Sequence, residues 1–215
     1  MKKRTVIICV IAVFLPAAVY TAYRIGIIPH RKYTDADFGI ETYVSTADKD
    51  GDGIPDQEDI LLSARTYLAS KPKYKSAYYA GGYPDDGYGV CTDVVAWAMR
   101  GAGYDLQELV DEDKKESPEA YNNEVRDANI DFRRVRNLKI WFDRHAQSLT
   151  PDLRDTAQWQ AGDIVIFRNH IGILSDARNS RGMPFVLHHA NILQIRYEED
   201  ILPYWGDIEG HYRIG

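Results

Sequence analysis

The stretch GDIVIFRNHIGILSD, residues 162–176, decides the fold class of this 215-residue chain. Its two apolar runs, 163–167 and 170–176, are separated by two polar residues and predict two neighbouring strands joined by a turn. After a second turn rich in glycine and proline, FVLHHA (185–190) predicts a third strand, and GHYRI (210–214) predicts a closing strand. The last third of the chain is therefore expected to form an antiparallel sheet.

The first two thirds of the chain predict helices. Helices are expected at 57–69 and at 91–102. In the second segment, apolar residues recur every three to four positions, and the glycines of GAG (101–103) end the helix. The segment 131–149 predicts an amphipathic helix with Asp131 as its N-cap, whereas residues 104–130 show only weak periodicity. The arginines of this third helix are expected on its solvated face: Arg133, Arg134 and Arg136. Helices followed by antiparallel strands predict an α+β fold.

The N-terminus predicts export. MKKR precedes nineteen uncharged residues, TVIICVIAVFLPAAVYTAY (5–23), which is close to the length that crosses a bilayer as a helix. The basic residues ahead of this run should stay in the cytoplasm, which places the rest of the chain outside. We expect a membrane anchor at 1–24, a stalk at 25–47 and an extracytoplasmic domain at 48–215. A cleaved signal peptide, which would release a secreted domain, is the alternative.

The composition is that of an acidic globular protein. Apolar residues make up 45% of the chain and charged residues 27%, which excludes wholesale disorder. The net charge of −6 argues against nucleic acid as a partner. We expect a monomer.

The stretch DKDGDGIPDQED, residues 48–59, predicts a calcium loop. With Asp48 as position 1, carboxylates fall at positions 1, 3, 5, 9 and 12 and a glycine falls at position 6. The expected ligands are five side chains and one backbone carbonyl: Asp48, Asp50, Asp52, Asp56, Asp59 and the carbonyl of Ile54. The stretch resembles the loops of EF-hands, and more closely those of dockerins and thrombospondin type 3 repeats. Calcium here would be structural; the alternative is an acidic linker that caps the following helix.

Cys91 is the residue on which the chemistry depends. The other cysteine, Cys9, lies in the N-terminal apolar run, so Cys91 has no intramolecular disulfide partner. A cysteine in the first turn of a helix is expected to have a lowered pKa and backbone donors for an oxyanion. His170 opens a predicted strand and is a candidate base. His188 and His189 lie on the next predicted strand, where side-chain alternation allows only one of them to reach His170.

Plainer interpretations stay open at these positions. A buried helix thiol and a structural histidine at the end of a strand are both common. Zinc is disfavoured because no CxxC, HxH or HExxH spacing is present, and a serine hydrolase because no GxSxG is present. The loop before Cys91 is expected to line a substrate cleft, or else to be a solvated turn, through these residues: Tyr83, Asp85, Asp86 and Tyr88.

The ordered motifs GVCTDVV, GDIVIF, HIGILSD and VLHHA resemble those of the NlpC-type cell-wall peptidases of the papain-like superfamily. Residues 45–214 are also similar to a bacterial family of unassigned function in that superfamily, which shares these motifs and a terminal GHYR. The resemblance implies a papain-like fold with a catalytic triad. Its nucleophile would be Cys91, its general base His170 and its orienting residue His188, with His189 as the fallback.

The resemblance implies an extracytoplasmic thiol hydrolase that cleaves an amide bond in peptidoglycan stem peptides and needs no cofactor for catalysis. One departure from the peptidase pattern is Asp93, which would oppose ionisation of Cys91 unless an arginine pairs with it. Two other functions stay open. One is a non-catalytic binding module of the cell envelope, and the other is a thiol acyltransferase that uses the same triad.

Overall fold

The computed structural model describes residues 14–23 and 27–215 and places most of the helices ahead of a six-stranded sheet. Residues 14–23 are helical. The α-helices that follow are α1 (Asp56–Ala69), α2 (Cys91–Gly101), α3 (Leu106–Glu116) and α4 (Val135–His145). Short 3-10 helices lie at Asp35–Phe38, Pro118–Tyr121 and Asp131–Arg133. The strands are β1 (Lys73–Tyr74), β2 (Tyr88–Gly89), β3 (Gln147–Ser148), β4 (Ile164–Phe167), β5 (His170–Arg178), β6 (Pro184–Leu187), β7 (Glu198–Glu199) and β8 (Ile208–Arg213).

The main sheet has the order β3-β8-β4-β5-β6-β7, and all its neighbouring strands are antiparallel. Strands β4 and β5 form the hairpin at its centre, with Phe167 opposite His170. Strands β1 and β2 form a separate parallel pair. The predicted α+β fold with an antiparallel sheet is confirmed.

Strand β4 has an unbroken apolar sequence because both faces of the sheet are covered. Ile164 and Ile166 pack in the larger core, which is shared with the helices. Val165 and Phe167 point to the other face and pack in a second apolar cluster around Trp159. All four β4 residues are buried, so a strand that would otherwise alternate between apolar and polar residues is apolar throughout.

Helix α2 is the central helix of the domain, packed between α1 and β5. Its Val94, Val95 and Met99 are completely buried. At its start, the backbone N–H of Val90 donates to the Asp93 carboxylate at 2.8 Å, which satisfies one polar group at the helix entry. This packing fixes Cys91 in the first turn of a helix held against β5.

The predicted helix at 131–149 is shorter than expected. Residues 131–133 form a 3-10 turn, and α4 occupies only Val135–His145. Asp131 is not the N-cap, because its carboxylate is buried and accepts a hydrogen bond from Lys114 Nζ at 2.8 Å. The prediction that Arg133 lies on a solvated face is also wrong, since this side chain is buried.

Two further elements differ from the sequence prediction. Helix α3 was not expected, although its start has a local signal: the Asp105 side chain accepts a hydrogen bond from the Gln107 N–H at 3.0 Å. Strand β6 ends at Leu187, so His188 and His189 lie just beyond it rather than within a strand.

The segment expected to be a stalk packs on the domain. Tyr33 exchanges backbone hydrogen bonds with Arg178, and the Asp35 carboxylate forms a buried ion pair with the Arg178 guanidinium. Further along, the Tyr43 N–H donates to the Gln160 side chain at 2.9 Å. The folded unit thus begins ahead of the predicted boundary at residue 48.

The predicted membrane anchor falls largely on residues 1–13, which lie outside the described part of the chain. Within 14–23 and 27–215, none of the helices has both the length and the hydropathy needed to span a bilayer.

Candidate functional site

Cys91 and His170 line the same pocket, whose volume is about 470 Å³. This volume lies in the range of small-molecule sites. Tyr74 and Ala190 also line the pocket, together with Trp205. His188 is completely buried behind His170. The structure therefore brings together the three residues predicted to be catalytic, two at the pocket surface and one beneath it.

A hydrogen-bonded series runs inward from His170. His170 Nε2 lies 2.9 Å from His188 Nδ1, and His188 Nε2 lies 3.1 Å from Glu199 Oε2. Since a carboxylate only accepts hydrogen bonds, His188 carries its proton on Nε2 and accepts from His170 at Nδ1. His170 then carries its proton on Nε2, which leaves its Nδ1 able to act as a base.

Glu199 was missed in the sequence because nothing local distinguishes it. It belongs to the acidic run EED, which is typical of a solvated turn. The pairing of β6 with β7, in which Val186 lies opposite Glu199, brings this carboxylate to the histidines. It is the last member of the series and anchors the orientation of His188.

His189 points away from this series. Its ring makes edge contacts with Tyr74 and Tyr197, at centroid distances of 5.4 and 5.2 Å. The structure thus brings His188, and not its fallback His189, to His170.

Trp205 covers the two imidazoles at the rim of the pocket. Its ring stacks on His170 at a centroid distance of 4.5 Å and meets His188 edge-on at 5.2 Å. The residue is 39% exposed, so one part of the indole shields the histidines while another faces solvent. No sequence motif marked this residue.

The close contact between β5 and β6 depends on Gly172. A Cβ atom at this position would lie 2.9 Å from the Leu187 carbonyl oxygen and 3.4 Å from His188 Cβ. The absence of a side chain therefore allows the segment carrying His188 to approach β5 closely enough to meet His170.

We expect Gly172→Ala to lower the free energy of unfolding by about 1–3 kcal/mol, because the added methyl group must displace the β6 backbone. The displacement should also separate His188 from His170. Urea denaturation measures the first effect, and the histidine ring signals in NMR spectra measure the second. The matched control is Gly81→Ala, where a Cβ would meet no atom within 4 Å. Equal stability of the two variants would contradict the expectation.

The acidic residue beside the nucleophile is neutralised by an arginine. Arg133 binds the fully buried Asp93 carboxylate through two contacts, Nε–Oδ1 at 2.6 Å and Nη2–Oδ2 at 3.0 Å. Its Nη1 donates to the Ala77 carbonyl at 2.7 Å. This ion pair offsets the charge of Asp93 and ties the start of α2 to the loop that precedes it.

The thiol and the imidazole are both uncharged at neutral pH. Burial raises the pKa of Cys91 to about 11, although the backbone N–H groups of Ile171 and Thr92 act in the opposite direction. Burial, together with His188 and His189, lowers the pKa of His170 to about 3. The lowered thiol pKa expected at a helix N-terminus is therefore not found. Desolvation of the sulfur by burial raises the pKa more than the backbone N–H groups lower it. Cys91 is nevertheless partly exposed toward the pocket.

We expect the rate of Cys91 alkylation by iodoacetamide to rise about tenfold per pH unit from about pH 6 to 10, because only the thiolate reacts and its fraction increases up to the pKa. Labelling is measured by mass spectrometry in a Cys9→Ser chain, which leaves Cys91 as the single thiol. A rate that reaches a plateau near pH 7 would instead show a preformed thiolate–imidazolium pair.

Tyr83 does not lie in the Cys91 pocket, contrary to expectation. Its ring packs between Trp97 and Phe132, each at a centroid distance of 4.9 Å. Its hydroxyl donates to Asp105 at 3.0 Å. Tyr83 therefore stabilises the loop against α2 and the start of α3.

The other residues predicted to bind substrate surround a different depression. Asp85 and Tyr88 line a pocket of about 410 Å³ together with Tyr67 and Trp97. Asp86 is exposed and accepts hydrogen bonds within its own loop, including one from Tyr79. The structure does not bring any of these loop residues to the Cys91 pocket.

Only three of the predicted calcium ligands lie close together in the structure. Asp48, Asp50 and Asp52 are exposed and can each place an oxygen within 4.8 Å of the others. Asp56 instead accepts hydrogen bonds from the Lys49 N–H and the Tyr104 hydroxyl. Of the remaining two predicted ligands, Asp59 accepts a hydrogen bond from Ser63. At Ile54 the N–H donates to Asp52, a bond that does not engage the carbonyl predicted to bind calcium.

Calcium binding at 48–59 stays a prediction. Burial and the nearby Asp52, Asp50 and Asp56 raise the pKa of Asp59, so a cation there would relieve repulsion among carboxylates. We expect saturating Ca²⁺, at about 100 times its Kd, to stabilise the fold by about 2.7 kcal/mol and to raise Tm by several degrees. Calorimetry on chelator-treated protein measures the shift. Asp50→Asn should reduce it, and an unchanged Tm in Ca²⁺ would contradict the prediction.

Comparisons with known proteins found one matching family and one similar protein. Residues 61–214 match the family described as "Domain of unknown function (DUF1287)". The "Uncharacterized protein YijF" of Escherichia coli (strain K12) is 42% identical over 167 residues, which cover 72% of this chain and 80% of that protein. No solved structure matches. The family match includes the Cys91 pocket and the whole histidine–glutamate series.

Proposed function

The chain belongs to the DUF1287 family, and we propose that this member is an extracytoplasmic thiol hydrolase that cleaves an amide bond. The observation that carries the proposal is the hydrogen-bonded series from His170 through His188 to Glu199 beside the Cys91 pocket. A cysteine that starts a buried helix, next to a sheet strand that begins with its base, is also the arrangement expected of the papain-like fold. That fold, in its NlpC-type form, is part of the proposal.

In the first half of the reaction, Cys91 Sγ attacks the amide carbonyl carbon while its proton passes to His170 Nδ1. The carbonyl π electrons move to oxygen, where N–H groups of the first turn of α2 can donate to the oxyanion. The backbone N–H groups of Cys91 and Thr92 already interact with the sulfur. When the carbonyl re-forms, the C–N bond breaks, and the leaving amine takes the proton from His170. The product is a thioester.

In the second half, water attacks the thioester as His170 takes one of its protons. The C–S bond then breaks, the carboxylic acid leaves, and the proton returns to sulfur. Because both Cys91 and His170 start uncharged, His170 acts as a general base during the attack. The imidazolium that forms is stabilised by Glu199 through His188, and Trp205 limits the access of water to it.

The proposed substrate is the stem peptide of peptidoglycan or another amide of the cell envelope. Support comes from the resemblance to NlpC-type peptidases and from the apolar N-terminal run that predicts export. The proposed enzyme works as a monomer and needs no cofactor for catalysis. A thiol acyltransferase would follow the same first half, with an amine or alcohol in place of water. A non-catalytic binding module would have no use for a base aligned by a buried histidine and a partly buried carboxylate.

The test compares the full chain with its Cys91→Ser variant on purified muropeptides. We expect the unaltered chain to release a new amine and a new carboxylate, which mass spectrometry detects as the gain of one water, and the variant to release neither. Cys9→Ser is the matched control and should keep the activity. Equal products from the full chain and Cys91→Ser would contradict the proposal, and products joined without gain of water would identify acyl transfer.

A further inference from the structure

Three large apolar side chains are exposed close together beside the Cys91 pocket. Ile192 is 78% exposed, Leu193 82% and Ile195 59%. We call residues 191–195 the apolar loop. It begins directly after Ala190, which lines the pocket, and leads toward β7. A cluster of this kind on a folded domain indicates an interaction surface.

The end of the N-terminal apolar run (5–23) lies near the β7 edge of the sheet, toward which the apolar loop also leads. The ring of Tyr23 stacks on His30 at a centroid distance of 3.8 Å, and His30 Nδ1 lies 3.6 Å from an Asp200 oxygen. The neighbouring Glu199 accepts a hydrogen bond from Gln194 Nε2 at 2.9 Å. Gln194 belongs to the apolar loop. A short chain of contacts therefore connects the run at 5–23 with this loop.

The charges beside the apolar loop suit an anionic lipid surface. Arg196 follows the loop directly, and no acidic side chain in the described part of the chain pairs with it. Arg31, on the segment that leads from the N-terminal run, is exposed, and its guanidinium carbon lies 4.8 Å from the centroid of the Tyr33 ring. By contrast, Glu198 is already paired with Lys32. Apolar side chains flanked by arginines are typical of segments that lie in the membrane interface.

We propose that the apolar loop inserts into the interface of the membrane that holds the N-terminal run. The inference rests on the proposed extracytoplasmic, anchored location of the chain. Docking in this way would open the Cys91 pocket at the lipid surface, since Ala190 and Trp205 line the pocket and Ala190 leads into the loop. The substrate amide would then be carried by a lipid-linked or membrane-proximal molecule.

The test measures lipid contact at single positions of the full chain in nanodiscs of phosphatidylethanolamine and phosphatidylglycerol. Cys9→Ser and Cys91→Ser remove the native thiols, so the readout does not depend on catalysis. Leu193→Cys carries an NBD dye at the apolar loop. The matched control is Val125→Cys, at a residue that is 89% exposed but lies on a different loop. Val19→Cys, within the N-terminal run, reports on the anchor.

We expect lipids with a doxyl group near the headgroup to quench NBD at position 193 at least twofold and to leave position 125 unchanged. Quenching at 19 without quenching at 193 would overturn the docking and leave the anchor intact. Quenching at neither position would overturn both. A signal at 193 that depends on the number of chains per disc, and not on doxyl lipid, would identify a second copy of the chain as the partner and overturn the docking.

Discussion

Asp163→Ala is expected to lower the free energy of unfolding by about 3–5 kcal/mol, the range found when one partner of a buried ion pair is removed. Asp163 is completely buried. Its carboxylate binds Arg213 through two contacts of 2.7 Å, and it also accepts from Gln57 Nε2 at 2.7 Å. His211 Nε2 lies 2.9 Å from the same group. Alanine would leave the Arg213 charge buried without a counter-charge, which is the main source of the loss.

Urea denaturation followed by circular dichroism measures this loss. The matched control is Asp207→Ala, since the Asp207 side chain is 86% exposed and lies 3.7 Å from Arg168. That substitution should change the free energy of unfolding by less than about 0.5 kcal/mol. If the two variants denature at the same urea concentration, the buried cluster around Asp163 does not stabilise the fold as described.

His170→Ala is expected to lower turnover of an amide substrate by about 10²–10⁴-fold, which is the usual contribution of a general base. The same variant should leave the rate of Cys91 alkylation at pH 7 nearly unchanged, because the thiol of the unaltered chain is already protonated there. The two measurements together separate a loss of base catalysis from a loss of the fold. A parallel fall in alkylation would contradict the uncharged resting pair.

Three further histidine variants test the assigned roles of the histidines. His188→Ala should also lower turnover, because it removes the contact that orients His170. His189→Ala should have a much smaller effect, since the His189 ring packs edge-on against Tyr74 and Tyr197 and does not take part in the hydrogen-bonded series. His145→Ala, at a partly exposed residue on α4 that pairs with Asp113, should have none. Equal losses in His188→Ala and His189→Ala would contradict the assigned order of the series.

The sequence predicted the parts of the fold that follow from local pattern. The apolar runs on either side of Arg168 and Asn169 predicted β4 and β5. The spacing of Val94, Val95 and Met99 predicted the buried face of α2. The start of α3 also had a local signal in Asp105, although the weak apolar periodicity around it obscured the helix.

What the sequence could not predict is where tertiary contacts place individual polar side chains. Arg133 resembles its neighbours on a polar helix face, and only Asp93, far away along the chain, makes it an interior residue. Glu199 resembles any acidic turn residue until β6 and β7 pair. Tyr83 was expected in a cleft and instead packs on α2. In each case a tertiary contact, and not the local pattern, determines the position of the side chain.

The order of the strands has a consequence for how the chain folds. Strand β8 lies between β3 and β4 although it follows both in sequence, with Gln147 opposite Arg213 and Phe167 opposite Ile208. Until β8 is in place, β4 has an unpaired edge of apolar residues, which is a template for aggregation. Closing the sheet requires contacts between distant segments, and such contacts form slowly. We therefore expect the newly made chain to depend on protection of this edge before the domain is complete.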